Sequence, residues 1–227
     1  MERGDYSWAG GSEALVRCAP QARVQIILLP PLFDEANRMR KTLTSVMRAL
    51  ATQGIGTLLP DLPAMGESLL PYGTATLADW QIAAAALGQI LAGQEQLVLS
   101  AAFRGGALID KALAQHPRWR LAPESGTRLL RDIKRMVSLR PDYAAGQDPY
   151  GQSGHALPPA FVAALEAATP DMAGQIRTLR LNDDRTEADA RIPGTPLWRR
   201  SEPGEDAALT AALTTDLATW AKQCAAS

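Results

Sequence analysis

Short apolar runs alternate with longer amphipathic stretches along the first half of the chain. The runs "VQIILLPP" (24–31), "GTLLPDLP" (56–63) and "QLVLSA" (96–101) are almost continuously apolar and end at proline or small residues. That is the pattern of strands covered on both faces of a sheet. Between them, "ANRMRKTLTSVMRALATQ" (36–53) brings Met39, Leu43, Val46, Met47 and Leu50 round at helical spacing and stops before Gly54. A second helix is predicted over "LADWQIAAAALGQILA" (77–92), with Leu77 and Trp80 on its opening turn, and a third over 105–116. Strands alternating with helices of these lengths predict right-handed βαβ units and a largely parallel sheet.

The second half is less regular. "RWRLAPESG" (118–126) reads as a fourth strand with its exit loop. Residues 127–139 read as a helix, with Leu129, Leu130, Ile133, Met136 and Val137 on one face and Arg128, Arg131 and Arg135 on another. Residues 140–159 are rich in Pro, Gly, Gln and Asp and read as a loop or lid; a short helix follows at 159–168. "QIRTLRLND" (175–183) and "TPLWRRSE" (195–202) are the remaining predicted strands, and "DAALTAALTTDLATWAKQ" (206–223) is the closing helix. The expected class is α/β, a compact three-layer sandwich whose mostly parallel sheet has about six strands. With no repeat and no linker, 1–227 reads as a single domain, carrying a lid or insertion at 124–174.

Composition narrows the partners. Of 227 residues, 46% are hydrophobic and 21% charged, and the formal net charge is -1, so no global field favours nucleic acid or an acidic membrane surface. Aromatic residues make up 5%, which leaves the core to Leu, Ile, Val, Met and Ala. Cys18 and Cys224 lie near opposite ends with no metal-ligand or CxxC spacing, and their redox state is open; a reduced, cytoplasmic protein is the simplest reading. The start "MERGDYSWAGGSEAL" has no apolar core segment of a signal peptide, and no stretch approaches the roughly 18 apolar residues of a membrane span. No cofactor and no metal are expected.

The chemistry-bearing stretch is "LVLSAAFRGGALI" (97–109). A buried strand runs through small residues into a helix start, the layout of a nucleophile elbow, where the five residues usually read G-x-S-x-G. Here they are Ala102, Phe103, Arg104, Gly105 and Gly106, so an arginine stands at the tip. A second strand ends in "LLPDLPAMGES", in which Asp61, Gly66 and Ser68 match the D-x-x-G-x-G-x-S segment of many α/β hydrolases. A first ends in "PPLFDEANRMR", which resembles the PPF-(acidic)-E-x-N-(basic)-x-R segment of the exosortase-associated hydrolase-like proteins. "AFRGG" is similar to the G-L-R-L-G elbow these often carry, and "GHALPPAFVAALEA" and "PLWRRSEPGEDAALTAAL" also resemble that group, over about residues 25–220. The resemblance implies an α/β-hydrolase-like fold and an accessory role linked to exopolysaccharide and exosortase loci of Gram-negative bacteria.

A Ser-His-Asp mechanism needs a nucleophile at the tip and a histidine late in the chain. Guanidinium stays protonated and is not a nucleophile. The only histidines, His116 and His155, precede the strand that should carry the acid, and Asp183 or Asp184 after 175–182 is the one triad member left. Arg104 either pairs with Glu35, Asp34 or Asp183 to hold loops together, or recognises an anion at a helix N-terminus. The expected ligand-binding set is Arg104, Phe103, Gly105, Phe33, Glu35 and Asn37. The leading expectation is a degenerate hydrolase that binds a small anionic ligand or a protein partner. A working esterase or thioesterase is the alternative, with water activated by Glu35 or Asp183, Ser100 as a displaced nucleophile, or His155 swinging over the pocket. The third is a pure interaction module using the basic helix face (Arg128, Arg131, Lys134, Arg135) and the closing helix. Asp61 is expected to tie loops together and Ser68 to cap its own loop.

Overall fold

A computed structural model describes residues 1–144 and 146–226. Ala145 within the predicted 140–159 loop, and Ser227 at the end of the predicted domain, lie outside the described residues. The strands are β1 (Glu2–Trp8), β2 (Gly11–Cys18), β3 (Val24–Leu29), β4 (Gly56–Pro60), β5 (Leu97–Phe103), β6 (Arg118–Leu121), β7 (Ile176–Leu181) and β8 (Ala190–Ile192). The helices are α1 (Asp34–Ala51), α2 (Leu77–Ala92), α3 (Gly126–Ser138), α4 (Pro159–Ala167) and α5 (Ala207–Ala226). One sheet runs in the order β1-β2-β4-β3-β5-β6-β7-β8. From β4 to β8 all pairs are parallel, whereas β1–β2 and β2–β4 are antiparallel.

Period-two alternation decides which layer each strand residue joins. Ile26, Leu28, Leu99, Ala101, Phe103, Trp119 and Leu121 face α1 and α5, meeting Met39, Leu43, Val46, Met47, Leu213 and Leu217. Ile27, Leu29, Val98 and Ala102 face the other way, toward Trp80, Leu87, Leu129 and Phe161 from α2, α3 and α4. α2 starts at a reciprocal cap: Asp79 N–H donates to Thr76 Oγ1 at 3.1 Å, and Thr76 N–H donates to Asp79 Oδ2 at 2.8 Å. The Trp80 indole donates to the Pro63 carbonyl at 2.8 Å, which ties α2 to the loop after β4.

The sheet has eight strands rather than about six, and three local expectations change. β1 and β2 form an N-terminal hairpin whose polar alternation hid it, since Tyr6, Glu13 and Leu15 are buried among exposed neighbours. The region 105–116 is not one helix but two 3-10 turns, Arg104–Leu108 and Asp110–Leu113. Gly105 and Gly106 are poor helix formers, and the backbone there approaches its neighbours closely: a Cβ on Gly106 would lie 2.5 Å from the Leu29 carbonyl oxygen. The last strand is Ala190–Ile192, not 195–202. Pro193 and Pro196 flank the latter segment's start, and Leu197 and Trp198 enter the core from a 3-10 turn instead.

β6 carries Arg118 and Arg120 on one face, both fully buried. Asp110, likewise fully buried, accepts from both, with Arg120 Nε at 2.6 Å and Arg118 Nη1 at 3.2 Å. Arg118 also donates to the Asp171 carboxylate and the Ala173 carbonyl, and Arg120 to the Asp171 carbonyl, pinning the segment before β7 to the sheet. Between β6 and β7 the chain makes α3 and α4, which pack against each other on the α2 side.

Candidate functional site

The sheet order reverses at β3: the chain leaves β3 for β4 on one side and returns to β5 on the other. Crevices beyond the carboxyl ends of strands at such a point are where open α/β sheets hold ligands. The elbow closes one side of this region. Phe103 is extended (φ −111°, ψ 122°) and Arg104 turns to φ 55°, the left-handed bend of an elbow apex. Phe33 after β3, Ala64 after β4 and Ala122 after β6 are also bent, to φ 59°, 59° and 43°, so four non-glycine residues in an uncommon backbone region follow the strands at this end of the sheet.

Arg104 is 3% exposed. Its Nε and Nη2 donate to the two oxygens of Glu35 at 3.3 and 3.2 Å, a bidentate fork. Its Nη1 donates to Glu124 Oε1 at 2.8 Å and to the Ala122 carbonyl at 3.4 Å. The guanidinium carbon lies 5.1 Å from the centroid of the Trp198 ring, within cation–π range. Arg128 Nε reaches the other Glu124 oxygen at 3.4 Å. Burial opposes the guanidinium charge, but Glu35 and Glu124 outweigh it and hold Arg104 protonated. Burial pushes the Glu35 carboxyl above its ordinary range, and the attraction of Arg104 offsets only part of that rise. Of the three acids expected as partners, Arg104 takes Glu35; Glu124, an acid just past β6, was not foreseen. Its placement after a strand, at the same sheet end as the elbow, was the available signal.

Ser100 is fully buried within β5, opposite Ile27 and Arg118, and its Oγ has no partner among the described residues. Asp183 is exposed. Asp184 is held in its own turn by Arg180 Nη1 and Thr186 N–H, both at 2.9 Å; burial raises its carboxyl, yet these bonds outweigh that and bring it down to about 2. Asp61 ties its loop to α1 and to itself, accepting from Arg40 at 3.3 Å and Glu67 N–H at 3.2 Å, while Ser68 Oγ accepts from the Ala64 and Leu70 amides. Arg128, Arg131, Lys134 and Arg135 project from α3 as exposed groups. Among the described residues no group of three or more His, Cys, Asp and Glu is arranged to hold a metal, and no helix is long and apolar enough to cross a membrane.

Beside the elbow, a cavity of about 200 Å³ opens at the ends of β3 and β4. Pro30, Pro31, Leu32, Leu59 and Leu62 form apolar walls, and Asp34, Asn37, Arg40, Asp61, Tyr72 and His155 supply polar groups. Two of the predicted ligand-binding residues, Phe33 and Asn37, line it; Arg104, Phe103, Gly105 and Glu35 do not. His155 reaches in from the insertion, with Nε2 at 3.3 Å from Asp34 Oδ1 and its ring 5.2 Å from Phe33. The first turn of α1 thus splits its two acids: Asp34 meets His155 at the cavity, and Glu35 meets Arg104 at the elbow. Arg40, Tyr72 and the Asp34–His155 contact were missed because residues 34, 72 and 155 meet only through tertiary folding.

Strand order, elbow and insertion together define an α/β-hydrolase fold. No family model matches the sequence, and no curated protein matches it. Solved structures do. The esterase Est1E from Butyrivibrio proteoclasticus is similar at a TM-score of 0.66 and 13% identity, over 99% of this chain and 100% of that one. A thermophilic esterase from Thermogutta terrifontis gives 0.63 at 14% identity, over 99% of both chains. An α/β serine hydrolase without lid from Xanthomonas campestris gives 0.56 at 15%, over 98% of this chain and 92% of that one. At these identities the likeness is one of fold.

Proposed function

We propose that this is a hydrolase-fold protein without covalent acyl-transfer chemistry, which holds a small molecule at the strand ends and serves an accessory, exopolysaccharide- or exosortase-linked role. One observation carries the reading: the elbow apex is an arginine whose donors are already committed to Glu35, Glu124 and a carbonyl. It offers no nucleophile. It also offers an incoming anion no free guanidinium edge, because a carboxylate or phosphate would have to displace Glu35 or Glu124. The neighbouring cavity is therefore the better ligand site; Arg40 on its wall pairs with Asp61 at 3.3 Å yet stays partly exposed. The linkage to exopolysaccharide work rests on the resemblance of "PPLFDEANRMR" and "AFRGG" alone. A reducing compartment accords with the free thiols Cys18 and Cys224.

The test is labelling of the purified protein with a fluorophosphonate, together with a thermal-shift screen of small carboxylates, phosphates and neutral metabolites. The reading expects no serine adduct and at least one ligand that raises the melting temperature of the wild type but not of Asn37→Trp, which fills the cavity mouth. A single labelled serine refutes it.

A further inference from the structure

We propose that the outward face of α3 docks on an anionic lipid surface, its cations at the level of the phosphates and Leu139 entering the apolar layer below. α3 carries four cations and one acid, Asp132, a net +3 in a chain whose net is -1. The positive charge is therefore local, on a chain that is otherwise acidic. Arg128 has a carboxylate partner, Glu124 at 3.4 Å. The side chains of Arg131, Lys134 and Arg135 are exposed and form no ion pair or hydrogen bond among the described residues. Arg128, Arg131, Arg135 and Leu139 follow one another at i, i+3, i+7 and i+11, which sets them on one side of the helix. Leu129, Ile133 and Val137 take the opposite side and are buried. Leu139 ends the helix in helical backbone geometry (φ −89°, ψ −5°) and is 76% exposed.

α3 is held at the carboxyl ends of the strands along its length. Leu129 Cδ1 would lie 2.6 Å from a Cβ on Gly105 of the elbow, and Arg38, in the second turn of α1, donates to Met136 Sδ at 3.3 Å. Two more apolar side chains protrude at that end of the sheet, Leu69 at 97% exposure and Tyr72 at 57%, both from the loop after β4. Arg140 Nη1 donates to the Gln152 carbonyl at 3.0 Å, and Tyr72 meets His155 with ring centroids 6.3 Å apart, so the insertion links the end of α3 to the Tyr72 loop. An anionic bilayer satisfies both sets of groups at once: its phosphates attract the unpaired cations, and the exposed leucines and Tyr72 leave water. An acidic polypeptide pairs the cations but leaves these apolar side chains in water. Nucleic acid favours aromatic residues interleaved with the cations, and this face of α3 has none.

The test is flotation of the purified protein with vesicles of phosphatidylcholine, alone or mixed with phosphatidylglycerol. The expected result is binding to the anionic mixture only, lost as salt rises from about 0.05 to about 0.5 M. Arg131→Gln, Lys134→Gln and Arg135→Gln together lower the partition coefficient by about 100-fold, about fivefold for each cation removed. Leu139→Ser lowers it by about tenfold. A control triple variant, Arg23→Gln, Arg48→Gln and Lys222→Gln, removes as many exposed cations from the opposite end of the sheet: Arg23 precedes β3, Arg48 is in the last turn of α1, and Lys222 donates to Gln53 just past α1. It stays within about threefold of the wild type, because charges beyond a Debye length of the surface are screened. All substituted positions are exposed, and an unchanged melting temperature confirms each fold. No binding to anionic vesicles, equal binding to phosphatidylcholine alone, or an equal loss in the control triple overturns the proposal. Full binding by Leu139→Ser overturns it as well, since the face then reads charge alone; tight binding of poly-glutamate in that case assigns it to an acidic polypeptide.

Discussion

Replacing Arg104 by methionine removes a cation from a site where two carboxylates depend on it. The side chains of Arg104, Glu35 and Glu124 are 4%, 13% and 9% exposed, so solvent screens the site little. Methionine fills much of the volume but leaves Glu35 without its fork and Glu124 with only the exposed Arg128. Removing one partner of a buried ion pair costs about 3–5 kcal/mol, about a fifth or more of a total stability of roughly 5–15 kcal/mol. For a chain of this size that lowers the melting temperature by about 6–20 °C. Urea denaturation followed by tryptophan fluorescence measures it. The triple variant Arg104→Met, Glu35→Leu, Glu124→Leu removes the charges together and recovers most of the loss, since replacing a buried network by apolar residues of similar volume is often nearly neutral. A single-variant loss below about 1 kcal/mol, the range of an exposed pair, or a triple variant no better than the single, refutes the ion-pair anchor.

Arg104→Ser restores a hydroxyl at the apex but no histidine follows β7, so the variant stays unlabelled by fluorophosphonate and loses stability; labelling at residue 104 counts against the reading. Gly106→Ala drives a Cβ to 2.5 Å from the Leu29 carbonyl oxygen and 2.7 Å from that of Pro30, and costs about 1–3 kcal/mol in urea titrations because backbone cannot step aside. Asp184 sits at about 2 against an ordinary 3.8, so its stabilisation is complete above pH 3.8 and lost as pH falls through about 2. Asp184→Asn therefore flattens the fall in stability with acid in that window, read as the difference between wild-type and variant melting temperatures. Asp110→Ala leaves Arg118 without its fully buried carboxylate and Arg120 with only carbonyl and thioether contacts, and is expected to cost about 3–5 kcal/mol or abolish soluble expression.

Elements with one dominant period were legible. Met39, Leu43, Val46, Met47 and Leu50 mark the buried face of α1, and all five lie in the core. The three continuous apolar runs became β3, β4 and β5. The hairpin β1–β2 escaped notice because β1, the edge strand, buries only Tyr6 among Arg3, Asp5 and Ser7, and the buried positions of β2 include the charged Glu13, so neither gives an apolar run. β6 is short and carries arginines whose burial depends on Asp110, ten residues upstream of Arg120, so hydropathy alone understates how deep it lies. The elbow was readable as a motif, with an arginine at its tip. Its neutralisation was only half readable: Glu35 belongs to the segment after β3, whereas Glu124 takes its place only once β6 is set beside β5.

An elbow persists here without a nucleophile, and the geometry explains why the position still constrains the fold. A left-handed apex between a strand and a tight 3-10 turn aims its side chain over the strand ends, where α1, the β6 exit and the insertion converge. A serine there would touch its neighbours with one short hydroxyl. An arginine spans the gap, gripping Glu35 on α1 and Glu124 past β6 while Trp198 covers its face. Buried charges of this kind contribute less to net stability than apolar packing would, but they penalise any arrangement in which the partners fail to meet. The cavity at the ends of β3 and β4 lies beside this cluster and carries a histidine, His155, and two carboxylates, Asp34 and Asp61.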